Sequence, residues 1–129
     1  MSHISTIQVI ITDLEALKQA CTSLGFTFVE NCHLFHWYGS KGHSSGTNTC
    51  DHVIRIPQAR YEVGVVKHND HYQLKADFWD TRLKDQIGEN GSRLTQQYAV
   101  ERVKYEARKK RYRIHQQPIQ GGIRLTLSQ

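Results

Sequence analysis

The sequence predicts an α+β fold: a two-layer sandwich with two main helices on one face of a mostly antiparallel sheet, a ferredoxin-like variant. Three observations predict it. A helix-spaced segment, Leu14, Leu17, Cys21 and Leu24, lies between two short β-branched stretches. Tyr72, Leu74, Ala76 and Phe78 alternate with Gln73, Lys75 and Asp77, the period-2 pattern of an antiparallel strand with one dry and one wet face. A long basic segment near the C-terminus carries Ala99, Val103 and Ala107 at four-residue steps, a narrow helical stripe of mostly small residues.

The elements follow in order. Ile7, Val9 and Ile11 share one face of a strand over residues 4–11. Thr12 followed by Glu15 reads as a capping box, and Gly25 as the left-handed stop of the first helix. Residues 26–30, FTFVE, form a second strand. A short strand is expected at Leu34–Tyr38, then an irregular loop at about 39–51 containing Gly39, Gly42 and Gly46. Val53–Ile56, Tyr61–Lys67 and Tyr72–Phe78 complete a meander, with turns at residues 57–60 and 68–70. Residues 82–110 read as helix, broken near Gly88–Gly91, with Ser92 as a new N-cap. Tyr112–Gln117 and Ile123–Leu127 form a closing hairpin. The whole chain, 1–129, reads as one domain.

Size and composition bound the possibilities. A chain of 129 residues can bury a core without staples. The N-terminus lacks a signal-peptide layout, and no apolar run reaches the roughly 18 residues of a membrane span, so a soluble protein off the membrane is expected. An odd count of three cysteines argues against a disulfide framework and for a reducing compartment. The formal charge is +5, and residues 93–113 alone hold eight Lys/Arg against two Glu. The excess charge therefore sits at the end of the second helical region, where Arg108, Lys109, Arg111 and Arg113 form an electrostatic footprint for something anionic.

Three readings of function follow. The favoured one is a non-enzymatic accessory or protein-interaction module. The second is a nucleic-acid binder using that basic helix end, with aromatic platforms nearby. Trp37, Tyr38 and Lys41 in the loop, with Arg108, Lys109, Arg111 and Arg113, are the candidate partner- or anion-binding residues. The third is a small enzyme or metal protein built on Cys32, His36, His43, Cys50 and His52. Their spacing only half-matches a zinc pattern, and surface histidines with unpaired thiols explain them more simply. No catalytic, cofactor-binding or metal residue is assigned, and no cofactor is implied. Asp77 reads as a solvated strand residue or the cap of the turn after it. Sheet edges and the shared helical sector of Tyr98 and Tyr105 leave room for a homodimer.

The segments MSHISTIQ, DLEALKQACTSLG, VIRIP, YEVGV, YQLKADFW, LTQQYAVERVKYEA and GGIRLTL resemble, in order, a conserved hypothetical reading-frame family of cyanobacteria and algal plastid genomes, a domain of unknown function. The chain departs from that family in HWYGSKG, in the loop leading to Cys50, and in KKRYRI. The resemblance implies a small soluble protein of a photosynthetic cell, in the plastid (chloroplast) stroma or in cyanobacterial cytoplasm. It carries no activity and no catalytic residue.

Overall fold

A computed structural model describes residues 4–38, 48–111 and 113–128. Lys41, His43 and Tyr112 lie outside the described residues. The elements are β1 (Ser5–Ile11), α1 (Leu14–Leu24), β2 (Thr27–Val29), β3 (His52–Arg55), β4 (Val63–His68), β5 (His71–Ala76), α2 (Thr81–Ile87), α3 (Ser92–Lys109), β6 (Arg113–Ile119) and β7 (Gly122–Ser128). A 3-10 turn at Glu89–Gly91 joins α2 to α3, where the sequence placed a break.

The fold is α+β, as predicted. Five strands form one sheet in the order β1-β5-β4-β3-β2, every neighbouring pair antiparallel, and β6 and β7 form a separate two-stranded sheet. Strands β2 to β5 are a meander. Strand β1 joins it beside β5, so α1 carries the chain from one edge of the sheet to the other.

Period-2 alternation sends Ile7 and Ile11 of β1, Val63 and Val65 of β4, and Leu74 and Ala76 of β5 to one face. There they pack with Ile54 and Ile56 against Leu17, Ala20 and Cys21 of α1, Leu83 and Ile87 of α2, and Leu94 and Tyr98 of α3. Fully burying each large side chain stabilises the fold by about 1.5–3 kcal/mol.

The start of α1 differs from the expected capping box. Asp13 is the N-cap, and its carboxylate accepts from Ala16 N at 3.1 Å. Thr12 stands one residue too early to cap. Gly25 stops the helix at φ 79°, as its sequence position predicts. At α3 the cap position is taken by Gly91, at φ 76°, so Ser92 is the first helical residue. A side chain on Gly91 would also meet Ile7, with a Cβ 2.8 Å from its Cδ1.

The buried face of α3 is rotated from the predicted stripe. Leu94, Tyr98, Val100, Glu101 and Ala107 are buried, whereas Ala99 and Val103 are exposed. The larger side chains set the rotation, because α3 packs on α1 as well as on the sheet. Glu101 accepts from Ser23 Oγ of α1 at 3.2 Å and from Gln97 Nε2 at 3.0 Å, and Lys104 Nζ lies 3.8 Å away. A buried carboxylate with such partners escapes much of its desolvation cost.

The second face of the sheet is not left to water. Residues 33–35 run antiparallel to 48–50: Phe35 N donates to Asn48 O at 3.1 Å, and Cys50 N donates to His33 O at 3.0 Å. The expected strand at 34–38 reduces to one bridge, Leu34 to Thr49. This arm lays Phe35 and Cys50 on Val53, with Ile4, Val29, Trp37 and Val66 around them. Asn48, itself buried, donates from Nδ2 to Phe35 O at 3.0 Å and so satisfies an interior carbonyl.

Candidate functional site

Two surfaces gather chemistry-bearing residues, and they share no lining residue. The first is a cleft of about 360 Å³ at the ends of β4 and β5, lined by Tyr38, Arg60, Tyr61, Trp79, Asp80, Thr81 and Arg82. The second is a groove of about 280 Å³ between the last turns of α3 and strand β7, lined by Arg102, Val103, Glu106, Ala107, Lys110 and Leu127.

Two carboxylates position the cleft. Asp77 is 1% exposed, contrary to a solvated strand residue, and it does cap the following turn. Its Oδ1 accepts from Trp79 N at 3.0 Å, and its Oδ2 accepts from Tyr38 N at 3.2 Å. Asp80 also faces the backbone. Its Oδ2 accepts from Arg60 N at 2.6 Å and Tyr61 N at 3.2 Å, and its Oδ1 accepts from Arg82 N at 3.0 Å, which caps α2. The side chains that these carboxylates hold face outward: Trp79 is 61% exposed and Tyr38 55%. Burial, followed by the Asp77 carboxylate, raises the Tyr61 phenol above its ordinary value, so it stays protonated at neutral pH. Arg82 donates to Gln58 O at 3.2 Å, and the Arg60 guanidinium makes no hydrogen bond or ion pair with a described residue.

The groove has an apolar floor. Val103 is 37% exposed and Leu127 43%, and Ala107 lies between them. In the hairpin, Ile114 pairs with Leu127, Gln116 with Leu125 and Pro118 with Ile123, so these residues share one face. Arg113, His115, Gln117 and Arg124 occupy the other face. The hairpin lies outside the main core and leans on α3.

The basic cluster follows at the end of α3, and its Lys110 lines the groove. Arg108, Lys109, Lys110, Arg111 and Arg113 are exposed. Lys109 Nζ sits 4.9 Å from the centre of the Tyr105 ring, a cation–π contact. Arg108, Lys110, Arg111 and Arg113 form no ion pair with a described residue. Arg111 ends α3 at φ 59°, a left-handed conformation that glycine adopts far more cheaply. Arg102 differs from its neighbours: its guanidinium donates to Thr12 Oγ1 at 2.5 Å and to Tyr98 Oη at 3.2 Å.

The sequence thus grouped residues that the fold separates. Tyr38 belongs to the cleft, whereas Arg108, Lys109 and Arg111 are exposed at the end of α3 and Arg113 on the hairpin face opposite Leu127. Trp37 packs against the Phe35 cluster, and Lys41 lies outside the described residues. Sequence reasoning missed Arg60, Tyr61, Trp79 and Arg82. A faint signal was present, since Asp80 stands directly before a helix and Trp79 directly before Asp80. Tyr98 is buried in its own chain, so only Tyr105 of that expected dimer stripe faces outward.

Among the described residues, Cys32, His36, Cys50 and His52 do not converge. Cys50 Sγ donates to Cys32 O at 3.1 Å, His36 Nδ1 pairs with Glu62 at 3.0 Å, and His52 Nδ1 accepts from Asn31 N at 3.1 Å. Among the described residues, no group of three or more His, Cys, Asp or Glu is placed to hold a metal ion. Also among them, no helix is long and apolar enough to cross a membrane.

Comparison with curated proteins finds no match, and comparison with solved structures finds none. A family model does match, over residues 20–126, which include LTQQYA but not MSHISTIQ. The cleft, the α3 side of the groove and all of α2 to β6 fall inside that span, Leu127 lies one residue beyond it, and the chain belongs to the family described as protein of unknown function (DUF1257).

Proposed function

We propose that this chain is a non-enzymatic accessory protein that docks an acidic, amphipathic segment of another protein in the groove between α3 and β7. One observation carries the reading: Val103 and Leu127 are exposed over the buried Ala107 in the groove, next to the end of α3, where Arg108, Lys110 and Arg111 form no ion pair with a described residue. Apolar side chains of a partner would cover the floor, and its carboxylates would meet Lys110 in the groove and Arg108 and Arg111 at the end of α3. Buried apolar area would supply affinity, and the rim would supply orientation and a faster encounter. The resemblance to a family of cyanobacteria and algal plastids supports a photosynthetic cell, with the stroma or the cyanobacterial cytoplasm as the compartment.

The test is capture with the purified chain, with and without nuclease, beside the Val103→Asp and Leu127→Asp variants. A protein retained after nuclease, lost from both variants and released by salt is the expected result. A partner that both variants still retain would overturn the groove. Arg108, Lys110, Arg111 and Arg113, without an ion pair among the described residues, favour a second reading, in which nucleic acid lies along the helix end. Release of the captured material by nuclease, with binding falling linearly in log salt, would establish that reading instead.

A further inference from the structure

The cleft is built differently from the groove and answers to different chemistry. Its two outward rings, Trp79 and Tyr38, are anchored through their backbone N–H groups to one carboxylate, Asp77, buried behind them. Its two guanidinium residues, Arg60 and Arg82, are anchored the same way to Asp80. The backbone at all four residues is thus fixed by carboxylates, and all four residues, with Asp80, line the cleft. Both carboxylates are directed at backbone N–H groups. The guanidinium of Arg60 has no described partner, and Arg82 uses one donor, on Gln58 O.

An exposed tryptophan is unusual, because the ring favours burial. Trp79 stays out although Asp77 fixes its backbone, so its exposure is a feature of the built turn. The volume, about 360 Å³, falls in the range of small-ligand sites. Aromatic faces accept planar rings by stacking, and arginines present paired donors that match phosphate oxygens.

From these features we infer that the cleft is a nucleotide site: a base stacks on Trp79 and Tyr38 while its phosphate is held by Arg60 and Arg82. The ligand chemistry is a phosphorylated nucleoside, supplied either as a free mononucleotide or as one unit of a single strand. This site is independent of the groove, and the inference does not rest on partner docking.

The test titrates the full chain with AMP, adenosine, inorganic phosphate and a ten-nucleotide single-stranded DNA, reading calorimetric heat. The same titrations are run on Trp79→Ala, Arg60→Gln and a variant with Arg108, Lys109 and Arg111 neutralised. Arg60 is exposed and its guanidinium has no partner among the described residues, so Arg60→Gln keeps the test valid should Trp79→Ala lose its fold. AMP is expected to bind more tightly than adenosine or phosphate. Trp79→Ala and Arg60→Gln should each weaken it on the order of 10-fold, the loss of one stacked base or one charged phosphate contact. Neutralising the basic cluster should leave AMP binding unchanged. A decanucleotide that binds no better than AMP identifies a mononucleotide site, and one that binds far better, with the same dependence on Trp79 and Arg60, identifies a strand site. Absence of AMP and decanucleotide binding, or binding that survives both cleft substitutions and falls with the basic cluster, would overturn the inference. Val103→Asp and Leu127→Asp should not alter AMP binding, so failure here and failure of the groove are told apart.

Discussion

The ring of Phe35 occupies the space that any side chain on Gly64 would need: a Cβ at Gly64 would stand 2.3 Å from Phe35 Cδ1 and 2.5 Å from Cε1. Two residues 29 positions apart are thus fitted to each other across the second face of the sheet. Gly64→Ala is expected to destabilise the chain by about 1–3 kcal/mol, the ordinary cost of overpacking. Phe35→Ala should cost about 3–5 kcal/mol. In the Phe35→Ala background the alanine at 64 should cost much less. Urea denaturation of the four proteins measures the coupling, and strict additivity would refute the fit.

Tyr98 ties α3 to the start of α1. Its hydroxyl accepts from Thr12 N at 3.0 Å and Asp13 N at 3.2 Å, and from Arg102. Three donors converge on an oxygen that has two lone pairs when neutral, a set better matched by a phenolate. Burial alone would raise this phenol, but Arg102 and the two N–H groups outweigh it and hold the group below its ordinary value. Tyr98→Phe should cost about 1–3 kcal/mol at neutral pH, because two backbone donors lose their acceptor. The pH dependence has a definite sign. The folded value is depressed, so the extra stability is complete above the unfolded tyrosine value of about 10 and vanishes as pH falls through the folded value. The stability gap between wild type and Tyr98→Phe should therefore widen as pH rises towards 10. A gap independent of pH from 7 to 10 would contradict the depressed value.

The three thiols should differ in reactivity. Burial pushes Cys21 up to about 12, and burial followed by the nearby Cys32 pushes Cys50 up to about 12. Cys32 is only partly buried. A mild alkylating reagent at pH 8 should modify Cys32 in the native chain and reach Cys21 and Cys50 only on unfolding, as peptide mass spectrometry would show. Since both folded values are raised above the unfolded value of about 8.5, their contribution is intact below that pH. It should be lost as pH climbs towards 12, by about 1.4 kcal/mol per pH unit for each thiol. Replacing Cys21 by alanine should flatten that decline, measured against the wild type by thermal melts.

Arg111 offers a separation of stability from binding. Its left-handed backbone would cost a glycine less by about 1–2 kcal/mol, and its guanidinium has no ion-pair partner among the described residues. Arg111→Gly should therefore raise the unfolding midpoint while reducing capture of the acidic partner. A variant that is less stable than wild type would show that Arg111 holds the fold together in a way its backbone does not suggest.

The α+β class, the meander, the helix break at Gly88–Gly91 and the closing hairpin were legible because each is signalled by local periodicity or a turn residue. The rotation of α3 was not. Ala99, Val103 and Ala107 form a regular stripe, but Leu94 and Tyr98 bury more area, and Glu101 finds polar partners across α1 that no one-dimensional pattern reveals. Thr12 looked like a cap because Glu15 follows at the right spacing, whereas Asp13 reaches Ala16 N itself. The cleft was illegible for a similar reason. Arg60 and Trp79 are brought together by a turn between β3 and β4 and by Asp77, whose burial depends on the arm carrying Tyr38.

The placement of β6 and β7 divides the molecule into parts of unequal persistence. The five-stranded sheet is closed over by helices on one side and by the Phe35 arm on the other, so its amides should open only with the whole domain. A lone pair of strands is marginal in water, and this pair meets α3 across the groove. Its amides should exchange with solvent by local opening, many times faster than those of β4 and β5. An occupant of the groove would then slow exchange in a hairpin it only partly touches, and that protection would record occupancy residue by residue.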